Sequence, residues 1–343
     1  MSHTAKTILR NAFSFLLAFL FLYLAFRNAR FDDLWNSLRT ANYGWVLLLF
    51  PLNILSHWVR AVRWAYLLKP MKEQISTRNL FSGVMIGYAV NNVLPRVGEF
   101  VRPYVLGKLE SISKSAALGT VVIERILDFT SFYFIVCVIM VVYPHSLDPF
   151  VSNAALVRPL FLVGSFAALA LFLLLFFKAE AMVRFLARWK HHVPERYRAT
   201  VDHVFDSFTT GLSVAHMREH FVSITFLSMA IWGLYALCMY VPFFSLDPMA
   251  ARGLTFGDAV LLLVISSIAW VLPAPGAMGT YHSFVTVVLI RLYGVDMTTA
   301  LSYSIISHEV GYVVVMVLGA WYYLRDRLKL SDLAITTEKG ESS

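Results

Sequence analysis

One stretch, Asn91-Asn92-Val93-Leu94-Pro95-Arg96-Val97-Gly98-Glu99-Phe100-Val101-Arg102, sets two guanidiniums and a carboxylate around a proline–glycine break in an apolar run. Arg96, Glu99 and Arg102 recur every third residue, so a short helix after the break would carry them on one side. Two guanidiniums can grip a phosphate through paired donors, with Glu99 orienting them and preventing permanent trapping. Pro95 removes a donor and bars helical geometry at Leu94, and Gly98 admits a close backbone or headgroup. The alternative is an arginine–glutamate lock that merely closes the turn.

A second constellation, Glu124-Arg125-Ile126-Leu127-Asp128, sets two carboxylates one helical turn apart, with Arg125 three residues before Asp128. They could bind Arg96 and Arg102, shuttle protons, or pair internally to assemble a bundle. Arg60 and Arg63, just before Trp64, are expected to snorkel towards headgroup water, with a substrate role as the lesser alternative. A second break runs Leu272-Pro273-Ala274-Pro275-Gly276-Ala277-Met278-Gly279, and amides freed near Thr280 offer a positive dipole end to an anion. His282 lies just beyond it, and His308-Glu309 fall in a later apolar run. Single histidines at such places are core hydrogen-bonding residues more often than ligands, and no metal-ligating spacing is present, so no metal or other cofactor is expected. Phosphate-binding glycine loops, nucleophile elbows and zinc-helix motifs are absent, so no catalytic residue is assigned and the chain reads as a non-enzyme.

The elements that must position these groups are membrane helices. The chain has 343 residues, 58% hydrophobic and 15% charged, with a mean hydropathy of +0.66. Soluble domains carry about 25% charged residues, and so much apolar surface has no interior to hide in at this length. Cys137 and Cys238 sit in apolar runs and offer no disulfide framework. Five runs are long enough to cross: Trp45 to Leu68, Ala116 to Tyr143, Leu156 to Phe177, Phe221 to Phe244 and Thr298 to Leu324. Phe13 to Phe26 lacks the small residues of a cleavage site and reads as a sixth span, an anchor. Leu80 to Leu94 and Ala259 to Leu272 break and resume as Glu99 to Leu109 and Thr280 to Tyr293, which predicts two re-entrant hairpins, because broken backbone survives at membrane depth only inside protein or beside water.

If both hairpins return to their side of entry, eighteen of the 29 lysines and arginines fall on the amino-terminal side, six on the other and five within spans. That asymmetry predicts a multi-pass inner (cytoplasmic) membrane protein with both termini cytoplasmic. The fold class expected is all-α and polytopic, a single transmembrane domain over residues 1–330. Within it, repeats over 45–143 and 221–324 are related by inversion, an amphipathic cytoplasmic segment covers 178–218, and a flexible tail covers 331–343. Interrupted helices at matching places in inverted repeats point to a transporter with its site near the midplane. The net charge of +8 reads as topology signal and affinity for anionic headgroups, with no nucleic-acid partner.

On these motifs the chain resembles the flippase-like transmembrane region related to the amino-terminal half of bacterial lysylphosphatidylglycerol synthase. The family's N, LP, R, GE and R pattern matches Asn92, Leu94, Pro95, Arg96, Gly98, Glu99 and Arg102; its ER-x-x-D motif matches Glu124, Arg125 and Asp128; its late P-x-PGG-x-G segment resembles Pro273, Pro275, Gly276 and Gly279. Ala277 stands in place of the second glycine of the pair, and His282 where the family usually has glutamate. The resemblance implies translocation of a phospholipid or a polyprenyl-linked sugar. The substrate-binding set expected is therefore Asn91, Asn92, Arg96, Glu99, Arg102, Glu124, Arg125, Asp128, Pro275, Gly276, Gly279 and His282, then Arg60, Arg63, His308 and Glu309. The alternative is a non-translocating partner that holds a lipid acceptor for a glycosyl- or aminoacyl-transferase.

Overall fold

The computed structural model describes residues 3–146, 148–178 and 219–328; most of the expected amphipathic segment and the polar tail lie outside them. Every regular element described is helical. Helix α1 (His3–Phe26) is followed by α2 (Phe31–Arg39), α3 (Tyr43–Leu68), α4 (Thr77–Val93), α5 (Gly98–Glu110), α6 (Lys114–Val142) and α7 (Ala154–Phe177). After the undescribed stretch come α8 (Phe221–Tyr240), α9 (Phe256–Ala269), α10 (Thr280–Tyr293) and α11 (Met297–Arg325). Side-chain caps start several of them: Asn42 on α3, Ser113 on α6, Asn153 on α7 and Asp296 on α11, while Thr255 and Asp258 cap α9 reciprocally.

Five helices, α3, α6, α7, α11 and α8 with its 3-10 extension to Phe244, are long and apolar enough to cross a membrane. A sixth span arises if the described part of α1 is taken with α2, from which it is bent by 87°. The sequence reading did not single out α2. It lies against α11, with Leu34 buried beside Leu301 and Ser37 Oγ accepting from Ser302. Only 6% of the α7 span is buried, and exposed Phe19, Val222, Phe226 and Leu324 extend the apolar surface, which only lipid can cover in a monomer.

Both interrupted runs are hairpins. Helix α4 stops at Val93, Leu94 is extended as a residue before proline must be, and α5 begins at Gly98. The freed amide of Gly98 donates to Asn91 Oδ1 at 2.7 Å, so the break is satisfied from within the protein. A Cβ on Gly98 would stand 1.8 Å from the Gly87 carbonyl oxygen; only glycine lets the two arms close. In the second hairpin, α9 ends at Ala269 and α10 starts after Gly279, whose φ is +76°. A Cβ there would meet the α1 backbone, 2.4 Å from Leu22 N and 2.6 Å from Ala18 O.

The open end of each hairpin is clasped. Glu110, at the end of α5, receives Lys72 Nζ at 2.6 Å, Asn79 Nδ2 at 2.7 Å and the Ser76 amide at 3.2 Å, so the mouth of α4–α5 closes on the bundle face that also holds Lys69 beside His220 and Ser82 bonded to Asp326. On the opposite face Arg252 donates to the carbonyls of Tyr293 (2.6 Å) and Gly294 (2.8 Å), and Tyr293 donates to Asp258 (3.0 Å). That face also holds the Asn42 amide on the Ser245 carbonyl and Arg291 on the Pro149 carbonyl. The hairpins therefore enter from opposite faces, and their tips meet: Arg96 Nη2 donates to the Val271 carbonyl at 3.2 Å.

Two outcomes follow from the clasps. In Cys137→Ser, Cys238→Ser protein, Glu73→Cys and Ser111→Cys should react with an impermeant thiol reagent from one side of the membrane, and Ser152→Cys and Ala251→Cys from the other; labelling of Glu73→Cys and Ser111→Cys from opposite sides would mean that α4–α5 crosses. Burial raises the Glu110 pKa, but the bonds from Lys72, Asn79 and Ser76 outweigh it and hold the carboxyl below its ordinary range. Its stabilisation is present above the unfolded pKa and lost as pH falls through the lower folded value. Detergent melting curves of Glu110→Gln should accordingly fall below wild type at pH 7 and converge with it in acid.

Candidate functional site

The polar residues inside the bundle converge on two carboxylates of α6. Glu124, 0% exposed, accepts from Arg60 Nη1 at 2.6 Å, from Arg63 Nη2 at 3.3 Å and from Arg102 Nη2. One turn on, Asp128 accepts from Arg60 at 2.9 Å and Arg63 at 2.6 Å, with Arg125 at 3.3 Å. Spacing explains the match: Arg60 and Arg63 are three apart on α3, Glu124 and Asp128 four apart on α6, so two adjacent guanidiniums meet two adjacent carboxylates. Helix α8 completes the enclosure, Tyr235 Oη accepting from Arg60 Nη2 at 3.0 Å and Ser228 Oγ from Arg63 Nη1 at 3.0 Å. The Arg102 guanidinium lies 3.8 Å from the centre of the Trp64 ring, and Trp64 is held by its indole N–H on Thr120 Oγ1 at 2.8 Å.

This arrangement corrects the sequence reading twice. Arg60 and Arg63 do not snorkel; they are 4% and 0% exposed and take both carboxylates. Nor do Arg96, Glu99 and Arg102 share one side of a helix. Arg96 precedes α5, in the left-handed region at φ 68°, and turns towards the second hairpin, whereas Arg102 turns into the bundle to Glu124. Glu99 is 4.0 Å from Arg125 instead. Asn91 caps the break, and Asn92 is buried with its carbonyl near Gly276.

Charge in this cluster does not balance. Four guanidiniums, of Arg60, Arg63, Arg102 and Arg125, face Glu124 and Asp128, and counting Glu99 still leaves one positive charge over. The Nε atoms of Arg63, Arg102 and Arg125 have no hydrogen-bond partner among the described residues. Uncompensated charge at such depth is costly. The open side of the cluster is at Arg125 and Glu99, whose side chains are 33% and 37% exposed.

At the second tip, His308 Nε2 lies 2.8 Å from the Gly276 carbonyl, its Nδ1 3.0 Å from Glu309 Oε1, and His282 Nε2 3.4 Å from the same oxygen. The structure thus joins His282, His308 and Glu309, which the sequence reading had left apart. Pro275 and Gly276 form the buried turn beneath them, and Gly279 faces α1.

The lysylphosphatidylglycerol synthase TM region model matches residues 11–319. A UPF0104 membrane protein of Methanothermobacter thermautotrophicus is 24% identical over 309 residues, covering 83% of this chain and 86% of that protein. One from Pyrococcus horikoshii is 24% identical over 310 residues, 84% of this chain and 88% of that protein. A third, from Methanocaldococcus jannaschii, is 33% identical over 130 residues, which are 37% of this chain and 39% of that protein.

Glu124 is the shared acceptor, so Glu124→Gln should destabilise the folded bundle by about 3 to 5 kcal/mol, and Asp128→Asn by less because Asp128 lies nearer the open side. Melting in detergent measures both. Arg102→Met combined with Glu124→Gln should cost less than the sum of the single changes, the sign of direct coupling.

Proposed function

The chain belongs to the lysylphosphatidylglycerol synthase TM region family, and on that premise we propose that it is a flippase-like transporter that carries an anionic lipid headgroup between leaflets, past the meeting point of its two hairpins. The observation that carries this reading is the surplus of guanidinium over carboxylate beside an opening at Arg125. A phosphate accepts bidentately from a guanidinium and would restore neutrality. The acyl chains stay in lipid while the headgroup passes along the tips, where Arg96 stands exposed. In this reading the units 45–143 and 221–324 are inverted repeats rocking about the fixed site, and both termini are cytoplasmic. Phospholipid and polyprenyl-linked phosphate share the recognised chemistry.

The roles divide by burial. Arg60, Arg63 and Arg102 hold the carboxylates and keep the site positive; Arg125, Glu99 and Arg96 meet the headgroup. Glu99 competes with the headgroup for Arg125 and so keeps it releasable.

Reconstitution into vesicles carrying labelled phosphatidylglycerol or phosphatidylcholine tests the proposal. Wild type should move the anionic lipid faster. Arg125→Gln should weaken its binding about ten- to a hundredfold, the value of a charge-assisted bond of about 1.5 to 3 kcal/mol, with melting temperature little changed. Arg125→Lys should recover part, because the charge remains and the planar fork is lost. A chain that binds the lipid yet moves none of it without an added transferase would be an acceptor subunit instead.

A further inference from the structure

At the second hairpin tip an ionised Glu309 and a neutral His308 leave two acceptors facing each other. A carbonyl oxygen only accepts, so His308 Nε2 must carry a proton to bond Gly276. In a neutral imidazole, Nδ1 then presents a lone pair, and it presents it to Glu309 Oε1, 3.0 Å away. His282 Nε2 converges on the same oxygen at 3.4 Å, and its Nδ1 is buried with no partner among the described residues. Ligand atoms of His282, His308 and Glu309 all lie within 4.8 Å of one another, on rings that are almost fully buried. The His308 lone pair and the Glu309 carboxylate face each other with nothing positive between them among the described residues, and His282 Nε2, whose tautomer no second partner fixes, converges on the same oxygen.

We propose that His282 Nε2, His308 Nδ1 and Glu309 Oε1 bind a divalent transition-metal cation of the zinc type. Ligands about 2.0 to 2.2 Å from a tetrahedral zinc are about 3.3 to 3.6 Å from each other, and the two nitrogen–oxygen distances here, 3.4 and 3.0 Å, lie close to that range. Two imidazoles and one carboxylate are a zinc ligand set that leaves a fourth position open. The bond from His308 to Gly276 is the outer partner such a ligand needs, since it fixes the tautomer that frees Nδ1. The sequence hides the set: 26 positions separate Tyr281, next to His282, from Ser307, next to His308, so no local spacing announces it. A bound cation would tie α10 to α11 and, through Gly276, fix the tip that meets α4.

The inference goes beyond lipid movement and is tested without it. The full chain, purified without a histidine tag and stripped by chelator, is titrated with Zn2+ and read by elemental analysis, by melting temperature and by X-ray absorption. Wild type should retain a zinc with nitrogen and oxygen ligands and melt higher with it. His282→Gln leaves the His308–Gly276 bond in place and should keep the fold while weakening zinc by more than the roughly ten- to hundredfold typical of losing an outer partner. Glu309→Gln should do likewise. Retention of zinc unchanged in the His282→Gln, Glu309→Gln double variant would place it on histidines elsewhere, such as His191 and His192, and overturn the site. Wild type that binds no zinc overturns it too.

Discussion

The Glu124 carboxylate, sealed from solvent and held by arginines from two other helices, is the constraint on which the bundle depends. A charge at that depth persists only with partners in place, and those partners set how α3, α5 and α6 lie against each other. Because guanidiniums are planar forks, they fix rotation as well as distance, and Arg60 and Arg63 also fasten α8 through Tyr235 and Ser228. Hydrophobic packing alone would not specify this register, since lipid is as apolar as the helix faces it would bury.

The hairpins meet the opposite demand, that broken backbone at membrane depth be paired from within. Asn91 answers it at the first tip and His308 at the second, each a side chain reaching a backbone group freed by the break. Both are residues for which substrate contact was the expectation. Close packing supplies the rest: Gly98 lies on Gly87, and Gly319 of α11 lies against Ala89 and Met85 of α4.

Much of this was legible in the amino acids. Pro95, Pro273 and Pro275 punctuate apolar runs with residues whose backbone rules are local, so the breaks, and the arms on either side, could be placed within a few residues. The basic residues are a signal of another kind, summed over loops, and give an expected orientation and no contact between helices. What could not be read was partner choice. Arg60 beside Trp64 looks the same whether it reaches for headgroup water or for a carboxylate 64 residues away, and only the packing of α3 against α6 decides. Three-residue spacing misled at Arg96 because the helix begins two residues later than the motif. Helix α2 carries Asp32, Asp33 and Arg39 among few apolar residues, too short and polar to stand out as membrane structure.

The seat of α1 has a consequence for biosynthesis. Gly279 presses on its backbone and Ser283 donates to the Phe21 carbonyl, a bond across 262 residues. At about 5 to 20 residues per second, the ribosome delivers that partner tens of seconds after α1 has been made. Through that interval the first helix, with Phe13, Leu16 and Phe19 facing outwards, has only lipid or the insertion machinery for company. Final assembly of the bundle therefore waits on the second hairpin, and a ribosome stalled between them leaves a helix with no place to dock.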